Sequence, residues 1–284
     1  MHLEPFVIKG TKCKIKPSLI YIVNAINLPK HDKDVLDALK IGLVIVDECH
    51  LILTKIFSQA LFNICPRYLL GLSATPFRND GFDTLFTLYF GIHRIHKSLY
   101  KPHQVECVSS KIPIKHEIGK NGSINWNSVI ERQSSSQERR NIICHYCKKY
   151  KEKNILILCK RILQMTQLAE ALQAVGETSV SVFKESDVLY DKNARILISS
   201  FQKVGTGFSH DKLDMLILGS DTEEYFLQYL GRVFRREDCS PLVVDIVDEH
   251  PILWKHYRTR SKIYRECGGK IKKTVFCDNL KGQN

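Results

Sequence analysis

The sequence predicts an α/β protein with two mainly parallel sheets, and three observations lead to this fold class. Apolar runs of strand length alternate with segments of helical spacing. The alternation occurs twice, on either side of a stretch at 116–140 that is rich in Asn, Gly, Ser and charge. The 284 residues, 44% hydrophobic and 25% charged, suffice for two cores and argue against intrinsic disorder. We therefore expect two domains, 1–100 and 101–284.

The first half contains two predicted strands and two predicted helices. Leu43–Val46 is entirely apolar and β-branched at three of its four positions, which is typical of a strand buried on both faces. The next apolar run, 68–72, predicts a second strand. Helical spacing at 51–64 and at 82–90 predicts a helix after each strand.

The second half repeats the alternation with more elements, so a larger second sheet is expected. Its predicted strands are 105–114, 155–159, 179–183, 195–199, 215–218 and 242–247, and its predicted helices are 163–172 and 223–234.

The charge balance favours a polyanionic partner. Lys and Arg outnumber Asp and Glu by 42 to 30, a net charge of +12, which is typical of proteins that bind nucleic acid. Much of the excess lies in the C-terminal tail, 255–284. A solvated basic helix face is the alternative. Within this tail, Tyr257 and Tyr264 could stack on bases or pack a terminal helix onto the second domain.

Membrane and secretory classes are disfavoured. No apolar run approaches the roughly 18 residues of a membrane span. The N-terminal residues lack the pattern of a signal peptide, so the ten cysteines predict reduced thiols in an intracellular compartment, the cytoplasm or nucleus, or a virion if the protein is viral.

Two adjacent carboxylates follow the first predicted strand. The carboxyl edge of a parallel sheet is where open α/β folds bind ligands. In a nucleotide hydrolase, the first carboxylate holds Mg²⁺ through water and the second accepts a proton from the attacking water. The pattern predicts these roles for Asp47 and Glu48. Taken alone, it is also compatible with a strand that ends in a solvated loop.

Hydroxyl residues follow the second predicted strand. Ser73 and Thr75 can hydrogen-bond each other or the neighbouring carboxylate loop, and so respond to its state. Taken alone, a Ser/Thr turn ahead of Pro76 is the simpler interpretation.

The helix predicted at 223–234 continues into a basic stripe. At 100° per residue, Gln228, Arg232 and Arg235 fall within an arc of about 60°. The apolar residues on the opposite side are Phe226, Leu227, Leu230, Val233 and Phe234. A docked helix that projects two guanidinium groups fits arginine fingers acting on a transferring phosphoryl group. The alternative is a solvated basic face.

Four short motifs then share a family resemblance. DECH at 47–50, SAT at 73–75, GTGF at 205–208 and QYLGRVFRR at 228–236 resemble, in this order, the DExH-box helicases and translocases of superfamily 2. The resemblance covers about residues 20–250. The segment 47–91 is especially similar to DNA translocases of the transcription-repair type and to helicases of large cytoplasmic DNA viruses that act in late transcription.

The resemblance implies two RecA-like domains with ATP and Mg²⁺ between them. It implies nucleic acid as partner, DNA rather than RNA, and a link to transcription or repair machinery. The residues to which it assigns roles are Asp47 and Glu48 for hydrolysis, with Asp47 at the metal; His50, Ser73 and Thr75 for coupling; Gln228, Arg232 and Arg235 on the finger helix; and Gly205, Thr206, Gly207, Lys160 and Arg161 for nucleotide or nucleic-acid contacts.

One family motif is missing from the sequence. No G-x-x-x-x-G-K-[ST] segment, whose amides cradle the phosphates in such motors, occurs in the 284 residues. We therefore expect a first RecA-like domain that is N-terminally truncated and lacks its Walker A part. Two functions follow: an ATP-dependent nucleic-acid helicase or translocase, or a non-catalytic nucleic-acid-binding remnant or complementing fragment.

Overall fold

The computed structural model divides the chain into two compact units, Met1–His96 and Lys97–Asn284. The division falls close to residue 100, where the sequence predicts the domain boundary. The residues that the structure describes are 4–10, 13–51, 54–73, 83–119, 121–184, 186–187, 189–205, 208–223 and 226–276.

The first unit contains two separate pairs of short parallel strands, where one sheet is expected from the sequence. Strand β1 (Phe6–Ile8) pairs with β2 (Tyr21–Val23), and β3 (Leu43–Val46) pairs with β4 (Tyr68–Gly71). The helical segments are two 3-10 turns at Ala25–Lys30 and Cys49–Leu51, and helices α1 (Lys33–Ala38), α2 (Lys55–Phe62) and α3 (Asp83–Phe90).

Strand β3 corrects the expectation that it is buried on both faces. Leu43 and Ile45 are 53% and 55% exposed, whereas Val46 packs against the small core formed by Leu28, Leu36 and Ala60. The described part of the unit covers one face of the β3–β4 pair. An apolar run shows that a face can be buried, but not how many layers cover it.

The second unit is built on a seven-stranded sheet in the order β13-β5-β12-β11-β8-β10-β9, with every neighbouring pair parallel. Its strands are β5 (His103–Pro113), β8 (Ile155–Cys159), β9 (Val180–Phe183), β10 (Ile196–Ser200), β11 (Met215–Leu218), β12 (Leu242–Glu249) and β13 (Gly269–Val275), and β6 (Glu117–Ile118) and β7 (Ile124–Asn125) form a separate antiparallel pair. The helices are α4 (Trp126–Ser135), α5 (Gln137–Lys149), α6 (Ile162–Ala174), α7 (Phe201–Gly205), α8 (Phe226–Val233) and α9 (Pro251–Glu266).

Helices cover both faces of this sheet. Strands β8, β10 and β11 are buried along their whole length, as expected for parallel strands between two helical layers. One core includes side chains of α7, α8 and α9, and the other includes side chains of α5 and α6. The predicted α/β class with a large parallel sheet is confirmed.

The basic C-terminal tail is structured as α9 and β13. Tyr257 and Tyr264 are 3% and 0% exposed, so these rings pack in the core and are inaccessible for base stacking. The charged side chains of Lys255, Arg258, Lys262 and Arg265 lie on the exposed side of the helix. None of the helices within the described residues is long and apolar enough to cross a membrane.

Candidate nucleotide and nucleic-acid sites

Paired strands β3 and β4 bring the two predicted loops of the first unit together. Val46 pairs with Gly71 at the ends of the strands, and the Leu72 N–H donates to the Val46 carbonyl at 2.8 Å. The Cys49 N–H donates to the Leu72 carbonyl at 2.9 Å. A Cβ on Gly71 would lie only 3.0 Å from Cys49 Sγ, so a larger residue here would push the two loops apart.

The chain turns sharply at the acidic pair. Glu48 has a φ of +48°, a left-handed conformation that few non-glycine residues adopt. Its N–H donates to Asp47 Oδ1 at 3.0 Å. The turn leaves Asp47 exposed and Glu48 half-buried, and it buries Cys49 and His50. Burial raises the pKa of the Cys49 thiol, so a neutral side chain lies beside the two carboxylates.

His50 joins the acidic pair to the following strand. Its Nδ1 lies 2.9 Å from Ser73 Oγ and 3.4 Å from Glu48 Oε2. No described residue donates a hydrogen bond to Glu48 Oε2. Thr75, the other predicted coupling residue, lies outside the described residues. Glu48, His50 and Ser73 therefore form one contiguous set of polar groups.

Asp47 is the residue of this loop that could bind a cation. Its carboxylate is exposed, and Oδ1 accepts the Glu48 N–H. An accessible carboxylate fits Mg²⁺, which keeps several of its waters when it binds to one or two protein carboxylates. Within the described ranges, no group of three or more His, Cys, Asp or Glu side chains could hold a metal ion.

In the second unit, Lys160 and Arg161 lie at the carboxyl end of β8. The Lys160 N–H donates to Ser220 Oγ at 3.1 Å, and the Ser220 N–H donates to the Leu158 carbonyl at 3.1 Å. Arg161 donates from Nη2 to Asn127 Oδ1 at 3.0 Å. These bonds fix the two basic residues at the edge of the sheet where open α/β folds bind ligands.

A cavity of about 280 Å³ opens at this edge. It lies between the ends of β8 and β10, and all of its lining belongs to the second unit. The lining residues are Trp126, Asn127, Ile130, Cys159, Lys160, Arg161, Ser200, Phe201 and Gln202.

The predicted finger residues converge on one loop. Arg232 donates from Nη1 to the Phe208 carbonyl at 2.7 Å and from Nη2 to the Gly205 carbonyl at 3.2 Å. Arg235 donates to the same Phe208 carbonyl at 3.3 Å and also bonds Ser209 Oγ. Thr206 and Gly207 lie outside the described residues.

Helix α8 ends one residue earlier than predicted, which corrects the position of one finger residue. It ends at Val233, so Arg235 lies beyond the helix rather than on its face. Gln228 is on the helix, and its Oε1 would lie 3.9 Å from a Cβ on Gly205. Arg235 lies two residues past the last helical residue, and its side chain still reaches the Phe208 carbonyl.

Sequence reasoning missed a buried arginine behind this edge. Arg139, within the stretch expected to be a linker, is 1% exposed and pairs with Asp248 at 2.7 Å. It also donates to the carbonyls of Gly219 at 2.8 Å and of Leu218 and Ile246 at 3.1 Å. One side chain thus ties together the carboxyl ends of β11 and β12.

A second missed network surrounds Asp221. Its carboxylate bonds His256 at 2.6 Å and Arg260 at 2.7 Å, and Arg260 also pairs with Asp245 at 2.9 Å. Burial opposes ionisation of Asp221, but the hydrogen bond from His256 and the charge of Arg260 outweigh it and lower the pKa of Asp221. The network anchors α9 to the loop after β11 and to the middle of β12.

Comparison with known proteins finds one matching family model and relatives among viral helicases. Residues 6–78 match the family described as type III restriction enzyme, res subunit. The chain is 36% identical over 270 residues to protein 161L of Invertebrate iridescent virus 6 and 34% identical over 242 residues to protein 055L of Frog virus 3, both named as helicases. The alignments cover 88% and 83% of this chain, which spans 61% and 54% of the two relatives.

Among solved structures, the fold is similar to that of Dbp5 from S. cerevisiae, described as bound to RNA and ADP BeF3. The TM-score is 0.62 at 11% identity, over 96% of this chain and 70% of that chain. The fold is therefore of the RecA-like kind found in helicases. In sequence, the chain is thus similar to viral helicases, and these relatives and the matched family model support a place in helicase superfamily 2.

Proposed function

We propose that this chain is the motor part of an ATP-dependent DNA helicase or translocase of the DExH type. The observation that carries the proposal is the turn at Glu48. It places an exposed and a half-buried carboxylate directly after β3 and connects them through His50 to Ser73. These groups fit the metal-binding and proton-accepting roles of nucleotide hydrolysis and a path that couples it to movement.

The first unit supplies the hydrolytic groups, with ATP and Mg²⁺ as cofactors. Asp47 would hold Mg²⁺ through water, and the ion neutralises charge on the phosphates when bound. Glu48 accepts the proton of the attacking water at Oε2, which receives no hydrogen bond from the described residues. His50 is positioned between that oxygen and Ser73, so it transmits a change of charge at Glu48 to the loop after β4.

The second unit supplies cations. Arg232 and Arg235 stabilise negative charge on the transferring phosphoryl group, and Gln228 lies on the same helix face as Arg232. Lys160 and Arg161 contact phosphates of the strand, so binding is tolerant of sequence and sensitive to salt. The loop 205–207 takes part in the contacts with strand and nucleotide.

The substrate and setting of this proposal rest on the family resemblance. The similarity of 47–91 to DNA translocases favours DNA over RNA, and transcription or repair machinery as the setting. Nine cysteines within the described residues are free thiols, which supports a reducing intracellular compartment.

The test is turnover of ATP with and without single-stranded DNA. We expect turnover that the strand stimulates and that Glu48→Gln abolishes, because the amide cannot accept the proton. Strand binding should persist in this variant. The matched control is Glu4→Gln, at an exposed carboxylate of the same unit, which should keep full turnover.

A second candidate function is nucleic-acid binding without hydrolysis. It is favoured by the absence of G-x-x-x-x-G-K-[ST] from the sequence, since this loop supplies most contacts to a bound triphosphate. Suppose that the unsubstituted chain and its Glu4→Gln control both bind the strand in a salt-sensitive way and show no ATP turnover. This result would support binding without hydrolysis and refute the ATP-dependent motor.

A further inference from the structure

The cavity at the ends of β8 and β10 combines an indole ring with two cations. Trp126 is the first residue of α4, and Lys160 and Arg161 follow β8. No lining residue is acidic. Pockets for drug-sized ligands have volumes of roughly 300–1,000 Å³. At about 280 Å³, this cavity suits a smaller group such as one nucleobase.

The indole of Trp126 packs partly against the core of the second unit and also contacts one neighbouring ring. Its ring meets the His256 ring edge to face, with centroids 5.1 Å apart and planes at 66°. The His256 ring is itself fixed by Asp221 at 2.6 Å and Glu223 at 3.2 Å. This contact engages at most one face of the indole, and Trp126 remains half-buried where it lines the cavity.

A hydrogen bond holds the Arg161 guanidinium close to the segment that carries the indole. Arg161 donates to Asn127, the residue directly after Trp126. The carboxylates of Asp221 and Glu223, which contact the other side of this cluster, are both engaged by His256. A ligand with an aromatic ring and a phosphate therefore meets an aromatic surface and positive charge within one cavity.

We propose that this cavity binds one nucleotide unit of the strand, with the base stacked on Trp126 and a phosphate on Lys160 and Arg161. The inference rests on the proposed function for the strand and adds a contact to the base. Stacking tolerates any sequence because every base has an aromatic face. The contact makes Trp126 a determinant of affinity for single strands, whose bases are accessible.

The experiment uses fluorescence of Trp126 itself. The chain has two tryptophans, so Trp254→Phe leaves Trp126 as the sole indole. This variant is titrated with single-stranded DNA and with a strand of equal length made of abasic sites, while the anisotropy of a labelled strand reports binding. We expect both strands to bind and the base-containing strand alone to quench the indole.

Substitution of Trp126 gives the matched comparison. Trp126→Ala should weaken the base-containing strand by about tenfold or more, the change expected when an aromatic side chain that stacks on one base is lost. The abasic strand should change by less than about twofold, and Trp126→Phe should restore most of the affinity. Because both strands are compared on the same protein, a folding defect cannot imitate this difference.

Three outcomes would overturn the inference. Equal weakening of both strands by Trp126→Ala, or binding of both strands without quenching, would remove the base contact and leave strand binding intact. Saturation by AMP at lower concentration than the strand would assign the cavity to a free nucleotide. Failure of the unsubstituted chain to bind either strand at low salt would instead refute the proposed function.

Discussion

Arg139 shows how a charged side chain is accommodated inside the second unit. The guanidinium is 1% exposed, yet three carbonyls and Asp248 accept its hydrogen bonds. Gln133 donates to Asp248 Oδ2, the same oxygen that accepts from Arg139. Removal of one partner from such a buried pair leaves an uncompensated charge, which costs more than the pair contributes.

We predict that Arg139→Met lowers the free energy of unfolding by about 3–5 kcal/mol. The matched control is Arg140→Met at the next position, whose guanidinium is partly exposed and should cost about 1 kcal/mol or less. Urea titration followed by circular dichroism measures both values. Equal losses for the two variants would contradict the account of the buried pair.

At the residue scale, the sequence predicts the position of a side chain best where that residue directly follows a strand. Asp47, Glu48 and Ser73 follow two apolar runs directly, and the ends of paired parallel strands meet at one edge. Arg139 could not be found this way, because a charged residue in a polar stretch indicates surface. Its burial depends on carbonyls that come from β11 and β12, far along the chain.

Helix α9 illustrates the element scale. Its inner face carries Leu253, Tyr257, Tyr264 and the ion-paired Arg260, and its other charged residues lie outside. His250 caps its N-terminus: Nδ1 accepts the Ile252 N–H at 3.2 Å. That acceptor must remain unprotonated. Burial, together with His116 and His256, holds the pKa of His250 below its usual value of 6.5.

We predict that His250 makes stability depend on pH in the acidic range. Well above pH 6.5 the residue is neutral in both states and contributes no pH dependence. As pH falls below 6.5, the unfolded chain binds the proton first, so the free energy of unfolding decreases until the pH passes the lowered pKa of the folded state.

His250→Asn keeps a capping side chain and should flatten this part of the profile, which thermal melts between pH 7 and pH 5 would record. His93→Asn, at an exposed position, should leave the slope unchanged. A profile of unchanged slope in the His250 variant would rule out this role.

Element prediction succeeds best for the buried centre of the second sheet. Strands 155–159 and 215–218 have the bounds that their apolar runs predict. The pair β6–β7 and strand β13 were missed, since polar and lysine-rich strands lack the apolar pattern that identifies a strand. Pairing with β5 stabilises β13 instead.

At the scale of the whole molecule, the two units differ in the size of their hydrophobic cores. The second contains a seven-stranded sheet with a core on each face. The main described core of the first contains three fully buried side chains, those of Leu28, Leu36 and Ala60. Less buried apolar area means less free energy of unfolding.

We predict that the fragment Lys97–Asn284 folds alone and unfolds in one cooperative transition at a midpoint close to that of the second unit in the whole chain. In the whole chain the first unit should unfold at lower denaturant. Hydrogen exchange resolved along the chain would show earlier exchange in Met1–His96. A fragment that stays unfolded would show that the second core depends on the first unit.

Strand β13 has one more consequence. It terminates the sheet, so in the described part of the chain one row of its backbone amides and carbonyls lacks a neighbouring strand. The unpaired groups of such an edge strand can form hydrogen bonds with a strand of another molecule, which is the first step toward aggregation. Lys270, Lys272 and Lys273 are exposed along this strand. In a second molecule the same lysines would carry the same charge, and the repulsion between the two sets prevents edge-to-edge pairing at high protein concentration.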